Sequence, residues 1–187
     1  MRNTDDAYGW MTKCLHWTTF VLILNQFTVA WLMLRTQPDE TVAGWSQGTL
    51  YNWHKSIGVM LFVVAAARAA WRTATPLPEW APNLGGGERR AISAVERILY
   101  GCMFVMPLSG FVFVMAGDYG VRFFNTWDLP NVIGPHETLA LVAQRTHRLS
   151  AWLLGATLLA HWTITLRHTV KHRDRYVHRM LPFTHQR

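Results

Sequence analysis

Four of the nine histidines in this 187-residue chain, His16, His54, His147 and His161, lie inside or at the edge of apolar runs. An imidazole can bind a metal through either ring nitrogen, carry a proton near neutral pH, or hydrogen-bond to a neighbouring helix. In hydrocarbon it is expensive without a partner, so each of these positions is a functional candidate. His147 and His161 bracket the segment Thr146–Trp162 and are 14 residues apart (161 − 147). On an α-helix that is just under four turns, so both rings leave on nearly the same face, roughly 21 Å apart along the axis. One helix then aims an imidazole at the same neighbours near each end of a span.

The elements that position these rings follow from where charge is missing. Half of the residues are apolar and ten are Trp, yet the mean hydropathy is only +0.07, because apolar runs alternate with short, strongly charged segments. That is the pattern of a small polytopic membrane protein. Cys14–Leu34 and Ile98–Gly117 carry no Lys, Arg, Asp or Glu, and neither does Leu149–Leu166. The second span has only 12 uncharged residues between Lys55 and Arg68. It works as a span if the helix continues to Trp71, with Arg68 and Arg72 snorkelling to the headgroups. The expected architecture is an all-α integral membrane four-helix bundle in a single domain. Its spans are placed at about 14–34, 50–71, 96–117 and 143–167, followed by a basic tail over 168–187.

Asn25 and Gln26, in the middle of the first span, are expected to face other helices. Residues 36–50 and 118–142 read as loops, and 73–92, with Pro76, Pro78, Pro82 and Gly85-Gly86-Gly87, reads as a linker. Pro107 and Gly110 inside the third span are tolerated in membrane helices. Trp17, Trp31, Trp53, Trp71 and Trp162, near the span ends, read as interfacial or cofactor-packing residues. The tail histidines, His168, His172, His178 and His185, read as solvated. Cys14 and Cys102 form no C-x-x-C pattern, which argues against covalent c-type haem and a cysteine zinc site. A disulfide between them is not expected.

The net charge of +7 does not indicate nucleic acid, because the basic residues sit just outside the apolar runs, where they set membrane orientation. Lys and Arg number two in the leader, five over 68–97 and six from Arg167 onward, thirteen against five in the other connections. Both termini are therefore expected in the cytoplasm. With that orientation the four histidines sort by depth. His16 and His161 lie at the inner level, and His54 and His147 at the outer level. Each pair comes from two helices, and the fourth helix serves both.

Two imidazoles facing each other across a bundle hold a planar macrocycle with one axial ligand from each side, the arrangement of bis-histidine b-type haem. With both axial positions filled such a group chiefly passes electrons, and two stacked across a membrane make an electron path. A lone intramembrane His is as readily a helix-to-helix hydrogen bond or a proton relay; four at matched depths weigh against that. Zinc or copper would need a third or fourth ligand at each level, and no intramembrane carboxylate or cysteine cluster supplies one. His136-Glu137 resembles a helix start and reads as loop, because 25 residues to His161 (161 − 136) is too long for two haems in one bilayer.

The order and spacing of several further pieces resemble the bacterial cytochrome b561 family of small four-helix di-haem proteins of the inner membrane. The pieces are His16-Trp17, His54-Lys55-Ser56-Ile57-Gly58, Arg68 with Trp71-Arg72, Tyr100 followed by Pro107-Leu108-Ser109-Gly110, the paired histidines of the fourth span, His168, and Arg179-Met180-Leu181-Pro182. They cover nearly the whole chain. One departure stands out. The family commonly has His-Glu at the outer histidine of the fourth helix, whereas here it is His147-Arg148, and His-Glu occurs at His136-Glu137. The spacing to His161 favours His147.

The resemblance implies two haem b groups with His16, His54, His147 and His161 as axial ligands to iron. It implies quinone, ubiquinone in particular, as redox partner, in a multi-pass protein of the bacterial inner membrane. Some members of the family are superoxide oxidases, so superoxide on the outer face is one electron source to consider; a redox protein is another. Lys55 and Arg148 outside, and Arg68 and Arg72 inside, are candidate haem-propionate contacts. The outer segments hold five basic and five acidic residues, so steering of an anion would need the bases clustered by the fold. No catalytic residue stands out, and enzyme and electron carrier both stay open. The competing functions are a haem-b membrane-anchor subunit of a larger oxidoreductase and a small haem-free transporter using the histidines as a proton relay. The second lacks a repeat with broken helices.

Overall fold

The computed structural model describes residues 3–5, 7–80, 84–170 and 177–181. Four helices dominate: α1 (Trp10–Arg35), α2 (Gln47–Ala74), α3 (Gly86–Ala116) and α4 (Glu137–Val170). All four are long and apolar enough to cross a membrane. The shortest, α1 with 26 residues, is about 39 Å long, more than the roughly 30 Å hydrocarbon core. Each helix begins ahead of its uncharged stretch, and α1, α2 and α4 also run past its end.

The connections are correspondingly shorter than the sequence reading. Within 36–50, β1 (Thr41–Val42) pairs antiparallel with β2 (Trp45–Ser46) around Ala43-Gly44, and α2 has begun by Gln47. Both turn residues have positive φ, 51° and 78°, the backbone a tight primed turn demands. Ser46 caps α2 by accepting from the Thr49 N–H. The glycines of the 73–92 linker are partly helical: Gly85 is the N-cap of α3, and the Glu88 carboxylate accepts from its N–H. Within 118–142 a second hairpin, β3 (Arg122–Phe123) with β4 (Trp127–Asp128), sits on the N-terminal half of α2. There the Ser56 hydroxyl accepts from the Phe124 N–H, and the Asn52 amide bonds Asn125.

Close backbone approach joins α1 to α2, α2 to α3 and, most extensively, α3 to α4. The α4 backbone stands off from α1 and α2, with no more than isolated close approaches. The core is a layer to which all four helices contribute, Ile23, Leu61, Ala65, Cys102, Met103 and Leu154, with Tyr100 and Phe104 against it. Leu154 lies seven residues from each α4 histidine, so this layer falls midway between the two histidine levels. Pro107 lies inside α3 without ending it. Both cysteines are free thiols.

Candidate functional site

The gap between α4 and the α1–α2 pair is bridged at two heights by imidazoles. At one, His16 of α1 faces His161 of α4 with ring centroids 6.4 Å apart and planes at 50°. At the other, His54 of α2 faces His147 of α4 at 6.2 Å and 86°. An imidazole–metal bond of roughly 2 Å on each side puts the centres of two rings sharing one ion about 6 Å apart. Both pairs have that spacing, and both span a slot where the helix backbones do not meet. Among the described residues no three His, Cys, Asp or Glu gather to hold a bare metal ion. Two protein ligands per level suit an ion whose remaining positions are filled by a flat macrocycle.

Local structure fixes the rings. His147 Nδ1 lies 2.9 Å from the Met106 carbonyl oxygen. A carbonyl only accepts, so Nδ1 carries the proton and Nε2 keeps its lone pair, the tautomer a metal-ligating histidine needs. Gly110, one turn further along α3, makes this possible: a Cβ there would sit 2.9 Å from His147 Nδ1 and 3.0 Å from Cε1. His54 is fixed through its backbone. The buried Gln26 amide of α1 donates to the His54 carbonyl at 2.9 Å, over Gly58, whose own Cβ would be 3.1 Å from that amide. His54 Nδ1 and Gln26 Oε1 are buried with no hydrogen-bond partner, unmet demands of the kind a bound group or water satisfies.

Around His16 and His161 the surroundings are charged and aromatic. An Arg68 terminal nitrogen donates to His16 Nδ1 at 3.1 Å, and its Nε donates to the Tyr100 hydroxyl at 3.3 Å. Trp17 meets His16 edge-on at 5.6 Å and donates from its indole to the Met180 carbonyl at 2.9 Å. The buried Lys13 donates to the Leu181 carbonyl, and Arg179 to the Glu79 carbonyl. The segment around Met180 therefore closes over the N-terminal end of α1. Tyr8, ahead of α1, has its phenol held above the ordinary value, first by burial and then by Glu96. It stays protonated, a donor, at neutral pH.

The expected cationic contacts divide. Arg68 points at the inner pair. Arg72 also lies over the Tyr100 ring, 5.6 Å away, but is held by Glu96 at 2.9 and 3.0 Å. Lys55 donates to the Gly120 and Tyr119 carbonyls, tying α2 to the α3–α4 connection, and Arg148 is exposed. His136 is exposed at the start of α4, where its Nδ1 accepts from the Leu139 N–H at 3.2 Å. It caps a helix and takes no part in either pair.

Two expectations need correction. His168 is buried, 4% exposed, not solvated, because it lies two turns beyond His161 on the same face of α4. His178 is exposed, and His172 and His185 lie outside the described residues, as does most of the tail over 168–187. Asn25 is exposed while Gln26 is buried, since neighbours on a helix are turned by about 100° and only one can face α2. Trp31 lies on the surface under Arg35, whereas Trp71 is tied to Thr12 and Trp53 packs between Trp45 and Phe124. Sequence reasoning did not find the roles of Gly110, the Met106 carbonyl and Gln26; the only signals were the Pro107–Gly110 run and a polar residue in mid-span.

The family model for prokaryotic cytochrome b561 matches residues 7–183. The chain is also similar to "Cytochrome b561 homolog 2" of Escherichia coli (strain K12), 26% identical over 180 residues that cover 96% of this chain and 93% of the relative.

Proposed function

The chain belongs to the prokaryotic cytochrome b561 family, and from that premise we propose that His16 with His161, and His54 with His147, are the axial ligands of two haem b groups. Family membership makes it a multi-pass protein of the bacterial inner membrane that binds haem b and transfers electrons. The observation that carries the finer reading is the pair of facing imidazoles, 6.4 and 6.2 Å apart, at two levels of one slot.

Haem b with two imidazole ligands supplies one-electron exchange between ferric and ferrous iron without a free site for oxygen. The chain's own residues do the positioning. Met106 and Gly110 hold His147 in the ligating tautomer, and Gln26 and Gly58 set the height of His54. Arg68 donates to His16 Nδ1, whereas ligation through Nε2 needs a proton at that nitrogen. Arg68 would therefore turn away from Nδ1 were His16 to ligate through Nε2, and it is the cation that would be available there to a haem propionate. The Ile23–Leu154 layer keeps water out between the levels.

With both termini in the cytoplasm, the His54–His147 level faces the outside and exchanges electrons with an outer donor, while the other level serves the quinone pool. Superoxide is the donor to test first, with ubiquinone as acceptor. Two superoxide anions give up one electron each and leave as dioxygen; ubiquinone takes both electrons and two protons to become the quinol. Lys55 and Arg148, adjacent in sequence to the outer histidines, are the cations that would attract the anion.

The test is a reduced-minus-oxidised spectrum with haem quantified per chain. Two b-type haems are expected in the wild type. A protein that takes up none, or one, would refute the pairing. Superoxide generated in the presence of ubiquinone should yield quinol; haem that is reduced by quinol but stays oxidised under superoxide would reject superoxide as donor and leave the haem assignment standing.

A further inference from the structure

A cleft of about 470 Å³ opens where the inner end of α2 meets the first turns of α3. Arg72 and Trp80 lie on one side, and Arg89, Arg90, Ser93 and Arg97 on the other, with Glu96 between them. The α3 residues recur at i, i+4 and i+8, so they share one helix face. Glu96 is already committed to Arg72 by two contacts of 2.9 and 3.0 Å. Four arginines against one carboxylate leave the cleft with a charge of +3 (4 − 1).

The forks are partly pre-positioned. Arg89 is tethered through Nε to the Leu84 carbonyl at 3.0 Å, and Arg97 through Nε to the Ser93 carbonyl at 3.2 Å. Those bonds fix the stems and leave the terminal guanidinium nitrogens, the ones that grip a phosphate in a bidentate way. Ser93 adds a hydroxyl. Immediately after Arg97 begins the uncharged run Ile98–Gly117, with Ile98 40% exposed and the Trp80 indole 41% exposed. The cleft therefore lies at the edge of the apolar zone, where headgroup phosphates lie and aromatic belts form.

We propose that this cleft binds a phosphate-bearing anion, supplied by the headgroup of an anionic phospholipid. Phosphate is the chemistry that several guanidinium forks and a hydroxyl recognise together, and the adjoining apolar α3 surface gives acyl chains a place to lie. A free phosphate ester would use the forks but not that surface. The site stands apart from both histidine pairs, sharing only Arg72 with the inner level.

The haem-loaded full-length protein is reconstituted with mixtures of phosphatidylcholine and either cardiolipin or phosphatidylglycerol, and retained lipid is counted by native mass spectrometry. The wild type is expected to retain the anionic lipid selectively. Arg97→Gln alone should lower that selectivity about five-fold, and Arg89→Gln with Arg90→Gln about thirty-fold, while the haem spectrum is unchanged. Excess inorganic phosphate should compete in the wild type. No preference for anionic lipid, or a preference that survives both sets of substitutions, overturns the proposal. Arginine-dependent binding of phosphate without lipid selectivity overturns the lipid source and makes the cleft a soluble phosphate site.

Discussion

His147 is held by two uncharged features of α3: a carbonyl that accepts a hydrogen bond from its Nδ1–H, and a glycine that leaves room for the ring. His16, at the inner level, lies against a guanidinium and an indole, under a segment that returns from the C-terminal end. A carbonyl and a bare Cα specify geometry and leave the local charge alone. A nearby cation does little for geometry and favours the electron-rich state of whatever the histidine ligates. His147 is thus set by shape while His16 lies against a charge, and α4 faces both.

The most forceful way to break this comparison is to remove the α4 ligands one at a time. His147→Ala should leave one haem per chain with the inner spectrum, and His161→Ala one haem with the outer spectrum. Loss of both haems in either variant would mean that the levels are not independent. Gly110→Val should act like a partial His147→Ala. Its side chain claims the space 2.9 Å from Nδ1, so outer haem occupancy should fall below half while the inner haem stays, measured by haem content per chain.

A smaller effect separates charge from shape. Arg68→Gln should lower the potential of the inner haem by on the order of 50 mV, because a cation that favours the ferrous state is gone. The outer potential should hold within a few millivolts in the same redox titration. Equal shifts at both levels would erase the distinction. Least disruptive is His136→Ala, which costs a helix cap worth about 1 kcal/mol and should lower thermal stability slightly with both haems retained. Loss of the outer haem there would move the outer ligand from His147 to His136.

Much of this was legible in the chain because it rests on local chemistry. Uncharged stretches such as Cys14–Leu34 and Ile98–Gly117 marked helices of membrane length. The 14-residue interval between His147 and His161 placed both on one face, whatever that face packs against. What was not legible depended on register between elements. Whether Gly110 or a neighbour meets His147 follows from how far α3 is slid along α4. Lys55 stood beside His54 in sequence and Arg72 read as a candidate propionate contact, yet one is turned to the Gly120 carbonyl and the other is held by Glu96. His168 read as part of a polar tail, but α4 continues and carries it inward.

The sequence by itself determined the number of spans, the heights of the four histidines and the helix that serves both levels, because hydropathy and helical repeat are properties of each segment alone. Only the tertiary structure decided which nitrogen keeps its lone pair, which glycine leaves room for His147, and which arginine lies against a histidine. Those outcomes belong to surfaces that exist only once α1, α2, α3 and α4 have packed, and a shift of one residue in that packing would change every one of them.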